Sequence, residues 1–238
     1  MSHSTAETID RELVLKSATI GTTSILVTDV SGKQISLEYS TITGNNPSAN
    51  GNSVYLWQAG DSTIPWTQDA KSSQAISLSN SQGDLSFDGL EIGIQSYIIG
   101  YAVGPVVTSP PFSAYANVVA SAFVPATGSD YAYASPTIAT KRIGSNSLTC
   151  DYTFLNGFNG VKAGAWAGLW EGPTIPWKDT QPKARTQILD AGNAGVATFN
   201  GISLLRGYTY SIGLYPTGWA ATGNLPLTRL CAFVTFKV

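Results

Sequence analysis

In SLTCDYTF, residues 147 to 154, Leu148, Cys150, Tyr152 and Phe154 fall on one side and Ser147, Thr149, Asp151 and Thr153 on the other. This period-two alternation predicts a strand with one face in a core and the other in solvent. The runs AWAGLWEG, VATFNGI, YTYSIGLYP and LTRLCAFVTFKV follow it, short, rich in β-branched and aromatic residues, and separated by Gly, Pro and Asn. Helical periodicity is nearly absent, with one short turn expected around Gln187 to Ala191. About seven such strands per hundred residues is the density of an antiparallel β-sandwich.

The pattern occurs twice. LWQAGDSTIPW at 56 to 66 returns as LWEGPTIPW at 169 to 177, SFDGL at 86 to 90 as TFNGI at 198 to 202, and YIIGY at 97 to 101 as YSIGL at 210 to 214. IGTTSIL at 20 to 26 pairs with IGSNSLT at 143 to 149, and AFV at 122 to 124 with AFV at 232 to 234. Several segments matching in order indicate an internal duplication rather than one shared motif. Because the offset drops after GNNPSANGN, residues 44 to 52, that stretch reads as a loop insertion in the first copy. The expected fold is all-β: an N-terminal arm over 1–16, a β-sandwich over 17–126, a linker over 127–136 and a second β-sandwich over 137–238.

LLRGYTY at 204 to 210 spaces Leu204, Gly207 and Tyr210 in a way that resembles the corner before strand F in fibronectin type III and immunoglobulin-like domains. LEIGIQSY places Leu90, Gly93 and Tyr97 similarly, with one residue more between Leu and Tyr. The resemblance implies a tyrosine hydroxyl tied to nearby backbone, and a buried tryptophan in the third strand of each sandwich, here Trp57 and Trp170. It implies no activity.

Charge narrows the partners. Of 238 residues only 12% are charged, 13 basic against 15 acidic without a basic cluster, so the electrostatic footprint of nucleic-acid binding is missing. YIIGYAVGPVV, 97 to 107, is too short to span a bilayer. The first seventeen residues carry Glu7, Asp10, Arg11 and Glu12 where a secretory signal needs an apolar core, so the chain is expected to be leaderless. Cys150 and Cys231 are read as two buried thiols, with a bridge between strands as the alternative. A neutral surface of Ser, Thr, Asn, Gln and Gly suits hydrogen bonding to glycans or a protein surface, or association with further copies into a homo-oligomer.

The only histidine is His3, which removes triads, Cys-His pairs and multi-histidine metal sites. Glu171 is the obvious acid for glycoside hydrolysis, yet its repeat partner is Gln58. Asp84 and Asp88 follow no calcium-loop spacing and are read as turn residues. No cofactor, metal or catalytic residue is therefore expected. Trp66 and Trp177 each follow Ile-Pro, a segment proline excludes from a central strand. If exposed, they offer flat apolar faces for a sugar ring or a partner, with polar neighbours supplying direction. If packed, they plug the ends of the sandwiches. The candidate ligand-binding set is Trp66, Asp61 and Gln68 in the first copy and Trp177, Glu171, Asp179 and Trp219 in the second. Trp219, Trp166, Tyr131 and Tyr133 have a competing place between the two domains. The leading expectation is a non-catalytic, lectin-like recognition protein that binds carbohydrate through aromatic and polar loop residues at a related site on each of the two domains, so that weak single contacts gain from avidity. The alternative is a self-assembling structural subunit of a filament, shell or inclusion, whose segment 12 to 20 adds a strand to a neighbour's sheet or covers its own domain's edge.

Overall fold

The protein, seen in a computed structural model, is described over residues 16–108 and 112–238. Most of the arm, with His3, lies outside the described residues. The architecture is all-β and antiparallel, built from two sandwiches of a three-stranded and a five-stranded sheet each. In chain order the strands are β1 Lys16–Thr22, β2 Ser24–Ser31, β3 Gln34–Ser40, β4 Ser53–Gln58, β5 Ser72–Ala75, β6 Gln82–Phe87, β7 Tyr97–Ala102, β8 Val118–Val124 and β9 Ala132–Ala134. The second series is β10 Thr137–Ile143, β11 Ser147–Thr153, β12 Trp166–Glu171, β13 Ala184–Gln187, β14 Ala194–Asn200, β15 Thr209–Tyr215 and β16 Ala232–Lys237. The first sandwich sets β2-β3-β6 against β5-β4-β7-β8-β9, and the second sets β10-β11-β14 against β13-β12-β15-β16-β1.

Alternation holds where one face meets water. β3 buries Ile35, Leu37 and Tyr39, and its counterpart β11 buries Leu148, Cys150 and Tyr152, as the sequence pattern requires. It fails in β4, β7, β12 and β15, which are buried almost throughout. Their outer faces are covered too. In the first sandwich Tyr115, from the loop before β8, meets Tyr55 and Trp57 edge-on at centroid distances of 5.0 and 4.9 Å.

Each repeat lends its first strand to the other. β1 precedes the first sandwich in sequence but pairs with β16 of the second, Ile20 opposite Val234 and Thr22 opposite Ala232. β9 precedes the second sandwich but pairs with β8 of the first, Tyr133 opposite Ala122. Where the two chain segments cross, Thr22 Oγ1 donates to the Pro136 carbonyl at 3.0 Å and Ser135 Oγ donates to the Thr23 carbonyl at 2.7 Å. The crossing is reciprocal, an exchange of edge strands within one chain that otherwise occurs between subunits.

Several expectations from the sequence are revised. GNNPSANGN is no insertion: it holds the helical turn α1, Pro47–Asn50, matched by α2, Gly160–Ala163. Both turns carry an asparagine N-cap, Asn46 or Asn159, and end on a left-handed glycine, Gly51 (φ 69°) or Gly164 (φ 69°). From β3 to β4 the repeats therefore run at one offset, 34 to 147, 47 to 160 and 53 to 166, and IGTTSIL does not correspond to IGSNSLT. Their shared Ile-Gly made the false match. AFV is also slipped: Tyr97 faces Val124 while Tyr210 faces Phe236, so 122 to 124 corresponds to 234 to 236. A two-residue slip keeps every side chain on its proper face, which is why pattern alone accepted it. The segment Gln187 to Ala191 is not helical but leaves β13 as loop, and the linker 127–136 contains β9. Asp84 lies within β6, not in a turn.

Candidate functional site

The LW and IPW motifs are best understood from the strand outwards. Trp57 on β4 is 1% exposed, and its indole N–H donates to the Gln68 carbonyl at 3.1 Å. Trp170 on β12 does the same to Thr180 at 3.0 Å. Each indole thus pins the far end of the loop that carries Ile-Pro-Trp. Each isoleucine, Ile64 or Ile175, then packs over a strand glycine, Gly100 or Gly213, where an added Cβ would sit 3.3 or 3.0 Å from its Cδ1. This explains the glycine inside YIIGY and YSIGL. The corner tyrosines also behave as the resemblance implies: Tyr97 Oη accepts from the Glu91 N–H at 3.0 Å and Tyr210 Oη from the Leu205 N–H at 2.9 Å. The extra residue in the first copy is absorbed in the span between donor and acceptor.

The last residue of the motif reaches across the molecule. Trp66 Nε1 donates to the Asn156 carbonyl of the second repeat at 2.9 Å, and Trp177 Nε1 donates to the Thr43 carbonyl of the first at 3.2 Å. Thr43 and Asn156 hold equivalent places before the two helical turns. Next to each stands a glycine with positive φ, Gly44 at 90° and Gly157 at 71°, which lets the indole lie close to the backbone. Trp66 is 7% exposed, in edge or tilted contact with Phe158 at 5.3 Å and Phe112 at 5.8 Å, and Ser113 Oγ donates to its carbonyl. It is a clasp between the repeats, not an open platform. Trp177 makes the same hydrogen bond but is only half-buried and has no ring contact among the described residues.

The other candidate residues are dispersed. Asp61 is exposed, and its carboxylate accepts from the Thr63 N–H at 2.7 Å within its own turn. Glu171 is exposed and ion-paired with Lys183 at 3.2 Å. Asp179 is exposed in a left-handed conformation, φ 65°. Trp219 is half-buried against the cluster of Trp166, Trp170, Tyr215, Leu225 and Leu227, its backbone N–H donating to Gly164 at 2.9 Å. Trp166 is fully buried and stacks on Tyr215 at 3.9 Å; Tyr131 is half-buried on the main core, and Tyr133 is exposed. Of the seven candidate residues, Gln68 in the first repeat and Trp177 in the second each line a concave surface, while Trp66 is buried.

Gln68 lines an open groove, of about 530 Å³, together with Gln58, Ala59, Gly60, Ile94, Gln95 and Ser96. Gln58 Nε2 donates to Gln95 Oε1 across it, and Ile94 is 75% exposed at its rim. Sequence reading missed Gln95 and Ser96, because they join Gln58 only through the β4–β7 register that sets Gln58 opposite Tyr97. In the second repeat the place of Gln58 is taken by Glu171 with its ion pair, so the two ends differ in chemistry.

Titratable groups with shifted equilibria sit in the cores. Burial pushes the Cys150 thiol up to about 12 and the Cys231 thiol well above its ordinary value. Both cysteines are buried and unbridged. Desolvation likewise raises Tyr101, Tyr152 and Tyr215, with Asp190 adding to the effect at Tyr152. These shifts keep the neutral forms, the opposite of what activates a nucleophile. Among the described residues, no three His, Cys, Asp or Glu side chains cluster to hold a metal, and no helix is long and apolar enough to cross a membrane.

No family model matches the chain, and no curated protein matches it. Among solved structures it is similar to the FN1-FN3 domains of chicken CNTN1, at 14% identity over 82% of this chain and 59% of that one, with a TM-score of 0.23. It is also similar to E. coli alpha-2-macroglobulin in its native conformation, at 10% identity over 93% of this chain and 16% of that one, with a TM-score of 0.25. The chain thus spans less than two thirds of either structure.

Proposed function

We propose that the chain is a non-catalytic recognition protein of two fibronectin type III or immunoglobulin-like modules, binding a neutral polyhydroxylated ligand, a carbohydrate, in the groove of Gln58, Gln68, Gln95 and Ser96. The observation that carries this reading is the groove's lining: three amides and a hydroxyl, no ionisable side chain, and one exposed apolar residue, Ile94. Amides both donate and accept, as sugar hydroxyls do, while Ile94 offers apolar surface to the C–H face of a ring. The loops at the end of a sandwich, held by a rigid frame, are a common place for binding residues. The ligand site is single, since Glu171 and Lys183 neutralise one another at the equivalent end of the second repeat. Binding of the full chain to a glycan array, repeated with Gln68→Ala and Gln58→Ala, tests the reading. Retention on a subset of glycans that falls at least tenfold in both variants supports it, and no retention on any glycan contradicts it.

A second reading, self-assembly, is favoured by one observation: β1 is the outermost strand of its five-stranded sheet, with Ile20 58% exposed. An edge of seven residues that no other described strand pairs with invites pairing with the same edge of another copy. Light scattering of the full chain across concentration, with Ile20→Lys for comparison, separates monomers from an assembly that the lysine dissolves.

A further inference from the structure

The two indole clasps are not equally filled. Trp66 is closed over by Phe158 and Phe112. The residue equivalent to Phe158, before α1 rather than α2, is Asn45, and among the described residues the Trp177 indole pairs with no ring, Phe233 only walling the space beside it. Instead a partly open cleft of about 130 Å³ flanks Trp177, walled by Ile42, Pro173, Ile175, Leu230 and Phe233, with Thr43 and Thr174 at its mouth. No ionisable side chain lines it. Ile42 and Ile175 are buried, and the two threonines are exposed.

From this asymmetry we infer that the cleft beside Trp177 is a binding site for a small monocyclic aromatic molecule with one neutral polar substituent. The occupant's chemistry is given by the other clasp, where phenyl rings of the chain itself cover the indole. The size agrees: an apolar cavity of about 150 Å³ in another protein stays dry and takes up benzene. Thr43 and Thr174, the exposed polar residues of the lining, offer hydroxyls to one neutral polar substituent on the ring, and an uncompensated charge would be disfavoured in so apolar a cleft. This site is separate from the amide groove and does not rest on the function proposed for it.

Titration of the full chain with benzyl alcohol, followed through the six tryptophan indole N–H resonances, tests the inference. A saturable shift confined to the Trp177 indole is expected, absent with glycerol and at least tenfold weaker with benzoate. Thr174→Leu, at an exposed position, is expected to fill the mouth and weaken benzyl alcohol at least tenfold, while Gln68→Ala leaves it unchanged. Shifts that do not saturate, that spread equally over several indoles, or that persist undiminished in Thr174→Leu overturn it. Because the wild-type titration alone decides between saturable and non-saturable behaviour, a poorly folding variant leaves the test intact.

Discussion

Four tryptophans of similar sequence context carry two different tasks, and the difference lies in what their indole N–H groups meet. Trp57 and Trp170 hold their own loops, while Trp66 and Trp177 hold the opposite repeat. Removing a buried aromatic costs its transfer energy plus the cavity left behind, so Trp66→Ala is expected to destabilise the protein by about 3–5 kcal/mol. Trp177→Ala, at a half-exposed clasp already flanked by a void, is expected to cost clearly less. Urea unfolding of the two variants checks the ranking. A second expectation concerns pH. Cys150, Tyr101, Tyr152 and Tyr215 are held neutral in the folded protein, with equilibria above the ordinary 9.0 of a thiol and 10.0 of a phenol. The unfolded chain loses those protons at lower pH, so their contribution to stability is complete below pH 9 and is lost as pH rises through 9 to about 12. Urea midpoints across that range are expected to fall steadily, and Ellman's reagent at pH 8 is expected to find both thiols only after unfolding.

At the scale of elements, what was legible in the sequence was local. The alternation of β11, the corner tyrosines and the buried Trp57 and Trp170 follow from short-range pattern and are found in place. The helical turns went unread because four residues, PSAN or GVKA, cannot show a period; their signal is the cap residues, Asn46 with Gly51 and Asn159 with Gly164. Asn46 Oδ1 accepts from the Ala49 N–H at 3.1 Å and Asn159 Oδ1 from the Lys162 N–H at 3.0 Å. Replacing either by alanine is expected to cost about 1 kcal/mol, and since each turn follows the loop clasped by the opposite tryptophan, thermal unfolding of Asn46→Ala and Asn159→Ala should show comparable losses. The exchange of β1 and β9 was not legible at all. KSATIGT has the same alternation whichever sheet edge it joins, and the choice is made by Thr22, Ser135 and the glycine opposite Phe233, contacts more than a hundred residues apart. The candidate ligand set scattered for the same reason: Asp61, Gln68, Glu171 and Asp179 are near one another in pattern, but the register of neighbouring strands decides which share a groove.

For the whole molecule, strand exchange and indole clasps join two duplicated modules at four places, each contact answered by its counterpart from the other repeat. Such reciprocity is what an isologous dimer interface shows, here enclosed within one chain. It ties the repeat that carries the groove beside Gln68 to the repeat that carries Trp177 through paired strands and indole hydrogen bonds. The exchange itself is open to direct measurement. Facing residues of antiparallel strands lie about 4.5–5.5 Å apart at Cα, within the span a disulfide requires. Thr19 faces Thr235 on β16, whereas in an unexchanged arrangement β1 would lie beside β8 of its own repeat. Mild oxidation of Thr19→Cys/Thr235→Cys, read by intact mass and non-reducing electrophoresis, is expected to give an intramolecular bridge in a monomer. The control pair Thr19→Cys/Phe123→Cys, Phe123 being the β8 equivalent of Thr235, should remain reduced, and a bridge in that control with none in the first pair would contradict the exchange.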